Sequence, residues 1–248
     1  MRVALLTLAL LTACGPTPQP TAEAPPLPPA AEAAWLICDG LDAPAVLAFE
    51  RGGDAVNVAE YDKPDGAIAA RYAFTLGEPE GAAGSVFTPL LREGADAGHV
   101  RHTNPGMLET PASAYTPRVT SVRIGERDIS CRWLPRTRLM GFTERRSFVV
   151  HEDADGDLIY SGYDFADTGG DVIALTDNGE TTAFWIEVRG GEESVSPELT
   201  EFRFTAPDGV IFTISRARDG AARLDVSRDN TTIQSENILF VQQGGGPQ

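Results

Sequence analysis

Phe202-Arg203-Phe204-Thr205-Ala206-Pro207-Asp208-Gly209-Val210-Ile211-Phe212-Thr213-Ile214-Ser215 holds two short apolar runs around a turn. In an extended chain Val210, Phe212 and Ile214 fall on one face. Pro207 presets φ, Asp208 bonds its own backbone and Gly209 accepts a positive φ, so the three residues between the runs suit a tight reversal. The stretch predicts a β-hairpin with one apolar face.

The same rhythm continues in both directions. Downstream, Leu224 and Val226 alternate within 222–227 across the Arg218-Asp219-Gly220 turn, and 238–241 forms a last apolar strand. Upstream, 171–176 and 181–188 flank Asp177-Asn178-Gly179-Glu180, whose Asn-Gly pair is a strong hairpin signal. Strand pairs are also expected at 147–151 with 158–160 around Asp155-Gly156, and at 118–124 with 128–133 around Gly125-Glu126-Arg127. Nearer the N-terminus, 35–38, 46–50, 56–61 and 68–76 are strand candidates; Ile68, Ala70, Tyr72, Phe74 and Leu76 share a face. Between Gly77 and Pro117, glycines and prolines break up short apolar pieces such as Val86-Phe87 and Leu90-Leu91. That region is expected to be long loops, and so a place to look for partner contact. No segment of helical length holds a 3.6-residue period. The expected fold class is all-β: antiparallel β barrel or sandwich units with long loops, preceded by a disordered Pro/Ala-rich tether.

The chain opens with Arg2 and the apolar run Val3 to Ala13, the pattern of an export signal. The run is too short for a hydrocarbon core of about 30 Å, which needs about 20 residues. It ends in Leu11-Thr12-Ala13-Cys14, which resembles the lipobox of bacterial lipoproteins. That resemblance implies cleavage before Cys14, acylation of Cys14, and anchoring in a bilayer by several acyl chains. Gly15 stands where an aspartate would favour inner-membrane retention in that family, which points to the outer membrane and the periplasm. Pro16, Pro18, Pro20, Pro25, Pro26, Pro28 and Pro29 follow, a composition that favours extended polyproline conformations over a core.

Lys plus Arg number 20 against 36 Asp plus Glu, for a formal charge of −16. An acidic chain repels phosphate backbones, so nucleic acid is excluded as a partner. Arg132, Arg136, Arg138, Arg145 and Arg146 form one local basic group, read first as pairing with the acidic excess and second as an anion or partner contact. With Cys14 acylated, Cys38 and Cys131 remain as an even pair in an oxidising compartment, so a disulfide is expected, two buried free thiols being the alternative.

No convergent catalytic motif is present. Glu152-Asp153-Ala154-Asp155-Gly156-Asp157 gathers carboxylates, but its glycine lies between the second and third Asp rather than after them, so it fails the EF-hand spacing and reads as a solvated turn. As a metal site it would use Asp153, Asp155 and Asp157. His99 and His102, with Asp96 nearby, lack a third ligand of clear placement, and His151 reads as a surface histidine at a strand end. Gly81-Ala82-Ala83-Gly84-Ser85 lacks the lysine of a phosphate loop. No metal and no cofactor is implied.

Trp35-Leu36-Ile37-Cys38-Asp39-Gly40, after a lipobox and before a second cysteine, resembles the lipid-anchored inhibitors of c-type lysozyme. That resemblance implies a small antiparallel barrel with a cysteine-bracketed core. The family's inhibitory Ser-Gly-x-x-Tyr motif has only Ser161-Gly162-Tyr163 here, at a different spacing and outside the bracket, so no inhibitory residue carries over.

The expected organisation is an export signal over 1–13, lipidated Cys14 with a flexible linker to 34, a β domain over 35–135, a second over 136–243, and a tail over 244–248. One continuous sandwich over both β regions is the alternative. The expected function is a membrane-anchored, non-catalytic binding or envelope-associated module, with an envelope protein or glycan as partner. A lysozyme-inhibitor-like protein and an envelope hydrolase are the alternatives.

Overall fold

The computed structural model describes residues 30–63, 65–108, 111–165 and 185–245. Residues 1–29, with the expected export signal, Cys14 and the prolines after it, lie outside the described residues, as does the turn expected at Asn178-Gly179. Among the described residues the fold is all-β, with two short 3-10 turns at Pro105–Met107 and Pro111–Ser113.

In chain order β1 is Glu32–Ala33 and β2 is Leu36–Asp39. Next come β3 (Ala45–Gly52), β4 (Ala55–Asp62), β5 (Ile68–Leu76), β6 (Glu80–Ala82), β7 (Ser85–Arg92), β8 (Ala95–Thr103), β9 (Val119–Ile124) and β10 (Arg127–Ser130). Strands β2 to β10 form one antiparallel sheet in the order β10-β9-β8-β7-β5-β4-β3-β2, with β6 beside β7. The sheet curls until its two ends meet. Gly40 bridges Cys131, Leu41 N donates to Ser130 O at 2.8 Å, and Arg132 N donates to Asp39 O at 2.9 Å. A Cys38–Cys131 disulfide fastens this junction, with Cα atoms 4.8 Å apart. Alternate positions fill the interior: Leu36, Leu47, Phe49, Val56, Val58, Phe74, Leu90, Val100, Val122 and Ile129 are buried together.

The expectation of long loops between Gly77 and Pro117 is corrected here. Most of it is strand: β7 and β8 pair from Ser85↔Thr103 to Arg92↔Ala95. Glu93 (φ 53) and Gly94 (φ 80) make a two-residue turn with both φ positive. Glutamate is not a residue that announces such a turn, so the hairpin was hidden locally. Gly98 belongs to a paired strand rather than a loop: a Cβ there would lie 2.0 Å from Arg123 O, so only glycine permits the neighbouring strand to approach. The irregular remainder is the connection from β8 to β9 through the two 3-10 turns.

The second sheet contains β11 (Thr137–Phe142), β12 (Arg146–Glu152), β13 (Leu158–Asp164), β14 (Trp185–Val195), β15 (Leu199–Thr205), β16 (Ile211–Ala217), β17 (Ala222–Arg228), β18 (Thr231–Asn237) and β19 (Phe240–Gln243). Its order is β1-β19-β11-β12-β13-β14-β15-β16-β17-β18. The opening hairpin of the sequence is β15–β16, with Phe202 opposite Ile214 and Phe204 opposite Phe212. Phe148, Tyr160, Phe204, Phe212, Ile214 and Leu224 pack in the core on one face.

Order begins before Trp35, which corrects the linker boundary at 34. Ala30 bridges Ala221, Ala31 N donates to Gly220 O at 2.9 Å, and β1 runs parallel to β19. Gly244 and Gly245, expected in a loose tail, donate to Arg138 O and Tyr115 O.

The two sheets share a third apolar cluster. Ile37, Val46, Ala48, Ala59 and Tyr61 come from the outer face of the first sheet; Met140, Phe142, Val149 and Phe240 come from the second. Strands β2, β3 and β12 are therefore buried on both faces, which is why they read as continuous apolar runs rather than alternations.

Candidate functional site

Asp39, on the outer face of β2, is fully buried where the sheets meet. Its Oδ1 lies 2.7 Å from Lys63 Nζ, and its Oδ2 accepts from Arg132 Nε at 2.7 Å and from Ser147 Oγ at 2.6 Å. Lys63 also donates to Gly40 O, and the Arg132 guanidinium lies 3.5 Å from the centre of the Tyr163 ring. Burial alone would raise the Asp39 pKa; the charges of Lys63 and Arg132 and the hydrogen bonds outweigh it and hold it down at about 2. Every participant is occupied by the others, so this is a fastening between sheets rather than a binding site.

The first sheet is open elsewhere. β5 pairs with β4 from Ile68 to Thr75, but with β7 only at Thr75↔Leu91 and Leu76↔Leu90. From Ile68 to Phe74 its outer edge therefore pairs with no described strand. A groove of about 670 Å³ runs along it, lined by Arg71, Tyr72, Phe74, Leu91, Arg92 and Glu93 among others. The Tyr72 and Phe74 rings stack at 6.0 Å, and the Arg92 guanidinium lies 5.3 Å from the Phe74 ring centre and 6.0 Å from that of Tyr72.

The wall behind the groove is rigid. Glu60, on the inner side of β4, accepts two hydrogen bonds from Arg127, at 2.8 and 2.7 Å, and one from Tyr72 Oη at 2.7 Å. The Arg127 hydrogen bond, against opposing burial, lowers the Glu60 pKa; burial and the Glu60 contact raise that of Tyr72. Glu60 is thus an ion-paired carboxylate that holds Tyr72 in place.

The other expected candidates are placed apart. Asp153 Oδ1 accepts from Asp155 N at 2.9 Å and Asp157 N at 3.0 Å, so its carboxylate is bound into its own turn between β12 and β13. Among the described residues no group of three His, Cys, Asp or Glu is placed to hold a metal ion. His99 packs edge-on against Phe87, whereas His102 tilts against Trp35, so the two do not converge. The arginine group is dispersed: Arg132 to Asp39, Arg136 to Asp153 O, Arg138 to Glu152 and Glu193, Arg146 to Asp164 and Glu236. Three of the five thus pair with carboxylates, Arg136 bonds a backbone carbonyl, and Arg145 lines the depression between the sheets, so the group makes no single patch. Ser161 lies in β13 with its Oγ 3.3 Å from His151 Nε2, buried on a sheet face.

A second depression, of about 450 Å³, lies between the sheets and is lined by Glu32, Tyr61, Glu144, Arg145, Glu236 and the start of β19. It is mixed in charge and carries no cluster comparable with the Tyr72–Phe74–Arg92 stack. Two sequence signals bear on the β5 groove: the shared face of Tyr72 and Phe74, and the 77–117 region that holds Leu91, Arg92 and Glu93; Arg71 carries no signal in sequence. Compared with known proteins, the chain matches no family model and no curated protein.

Proposed function

We propose that the chain is a lipid-anchored envelope protein whose folded part binds a partner without catalysis, and that it binds along the outer edge of β5. The anchor rests on Leu11-Thr12-Ala13-Cys14 and its apolar run, which favour acylation of Cys14 and an outer-membrane position facing the periplasm. The proline-rich stretch after Cys14 would act as a spacer of about 3.1 Å per residue. The observation that carries the binding reading is the edge from Ile68 to Phe74, which pairs with no strand among the described residues and stands beside an aromatic–arginine wall. An exposed strand edge is a template for another strand, and native proteins ordinarily cover or blunt it.

The test is in-cell crosslinking. A photoreactive amino acid replacing Ala73 is expected to form adducts with an envelope component, and the same residue at Ile233, on β18, is expected to form none. Adducts from Ile233 alone would overturn the placement.

A hydrolase is the second reading, favoured by the Ser161–His151 contact. It calls for a reactive serine, so a fluorophosphonate probe should label the protein and Ser161→Ala should abolish the label. The burial of Ser161 weighs against it.

A further inference from the structure

We propose that the partner at β5 is an extended acidic polypeptide segment, which adds to the first sheet as a further strand. This rests on the reading of the β5 edge as the binding site, and it names the chemistry that the edge would select.

The backbone argument comes first. Among the described residues, Ile68 to Phe74 are paired on the β4 side only. In an antiparallel sheet every second residue of an edge strand directs its N–H and C=O outward, so this edge offers several backbone groups in a row that no described strand meets. At about 3.4 Å per residue it accommodates an extended segment of roughly six residues. The outward side chains do not block approach: Ala69 and Ala73 are small and exposed. The strand carries no proline and no lysine, two common means of protecting an edge.

Charge decides the class of partner. The whole chain is strongly acidic, at −16, yet this groove presents Arg71 and Arg92. Among the described residues neither lies within ion-pair distance of a carboxylate; Arg71, on the opposite face of β5 from Tyr72, interacts with Glu50 at longer range, and Arg92 rests on aromatic rings instead. The carboxylate nearest in role, Glu60, is already neutralised by the two bonds from Arg127. Glu93 is the one remaining acid of the wall, and it sits in the β7–β8 turn. A basic or strongly apolar segment would leave Arg92 uncompensated as the groove loses water; an acidic one would pair with it. The other long edge, β18, reads Thr231-Thr232-Ile233-Gln234-Ser235-Glu236-Asn237 and holds no cation. It lacks the feature that would choose an acidic strand. On the face that carries Arg92 the floor is the half-buried Tyr72 ring, with Phe74 buried in the core of the sheet beside it.

The experiment uses the full chain in detergent and a fluorescent, end-capped peptide of about eight residues alternating Val and Asp. A Val/Lys peptide of the same length is the control. The expected result has three parts. The acidic peptide binds at least about tenfold more tightly than the basic one; amide exchange slows within 68–74; and Arg92→Glu removes the preference while its near-ultraviolet circular dichroism stays native. Arg92→Gln, which keeps size and polarity, should lose most of the preference and guards against misfolding of the charge reversal. Equal binding of both peptides with protection at 68–74 would overturn the acidic partner and leave the β5 edge as a binding site. Absence of binding, or protection at β18 instead, would overturn the proposal. If crosslinks from Ala73 also failed, the reading of the site would fall with it. Concentration-dependent dimerisation that protects 68–74 without peptide would replace the acidic segment by a second copy of this chain.

Discussion

Arg132 Nε donates to Asp39 Oδ2 at 2.7 Å while its guanidinium lies 3.5 Å from the centre of the Tyr163 ring, so one side chain reaches from the closure of the first sheet onto the second. Asp39 completes the link by accepting from Ser147 in β12. A buried ion pair contributes less to net stability than its geometry suggests, because both charges leave water. Removing one member is different, since it strands the others.

Asp39→Asn is therefore expected to destabilise the fold by about 3–5 kcal/mol, because Lys63 and Arg132 would remain buried without a counter-charge. Urea unfolding measures it. A loss below about 1 kcal/mol would mean that water reaches the knot.

The same carboxylate makes the fold sensitive to acid. Its pKa is about 2 in the folded protein against an ordinary 3.8. Its contribution is thus fully present above the ordinary value and is lost as pH falls from about 4 through 2, amounting to about 2 kcal/mol. Glu60, also lowered, acts in the same direction. Unfolding free energies at neutral pH and near pH 2.5 should fall for the wild type, and the gap to Asp39→Asn should narrow in acid. A gap that is unchanged would contradict the assignment.

Cys38→Ala with Cys131→Ala is expected to lower stability by about 2–5 kcal/mol, since the bridge closes a separation of 93 residues. The effect should reach the second sheet, because Ile37, Val46 and Tyr61 pack against Met140, Phe142 and Phe240. Amide exchange in β11 and β12 reads this directly. Unchanged exchange there would show that the sheets unfold separately.

Ala31→Pro removes the donor to Gly220 O and should cost about 1–3 kcal/mol, although the residue stands next to a segment of linker composition. Thermal unfolding checks it. A neutral result would return the linker boundary to residue 34.

On the proposed lipid anchor, Cys14→Ser should release the protein from membranes or leave it unprocessed, because the acyl chains would be what holds it there. Fractionation of cells tests it, and a normally processed, membrane-bound variant would remove the lipid from the argument.

Local pattern carried much of the fold. Proline, aspartate and glycine at 207–209 and the alternation through Ile214 specify a hairpin without reference to the rest of the chain. The same holds for the turns at 125–127, 155–156 and 218–220, and the expectation that Cys14 is acylated leaves Cys38 and Cys131 to pair with each other, as they do. Turn chemistry and side-chain period are properties of a few consecutive residues, so they can be read in order.

What only the tertiary structure decided is which edges remain unpaired and which charges are buried. Tyr72 and Phe74 read as one face of a strand, but nothing near them in sequence states that β7 leaves β5 after Leu91. Asp39 stands in sequence only as one member of the Trp35–Gly40 stretch, yet its partners Lys63, Arg132 and Ser147 come from three distant segments. The region from Gly77 to Pro117 reads as loop because glycines in sequence resemble breaks, whereas Gly98 is a place where Arg123 O comes too near for any side chain. Sheet closure, burial of charge and close backbone approach depend on residues far apart in the chain, and a local pattern holds no record of them.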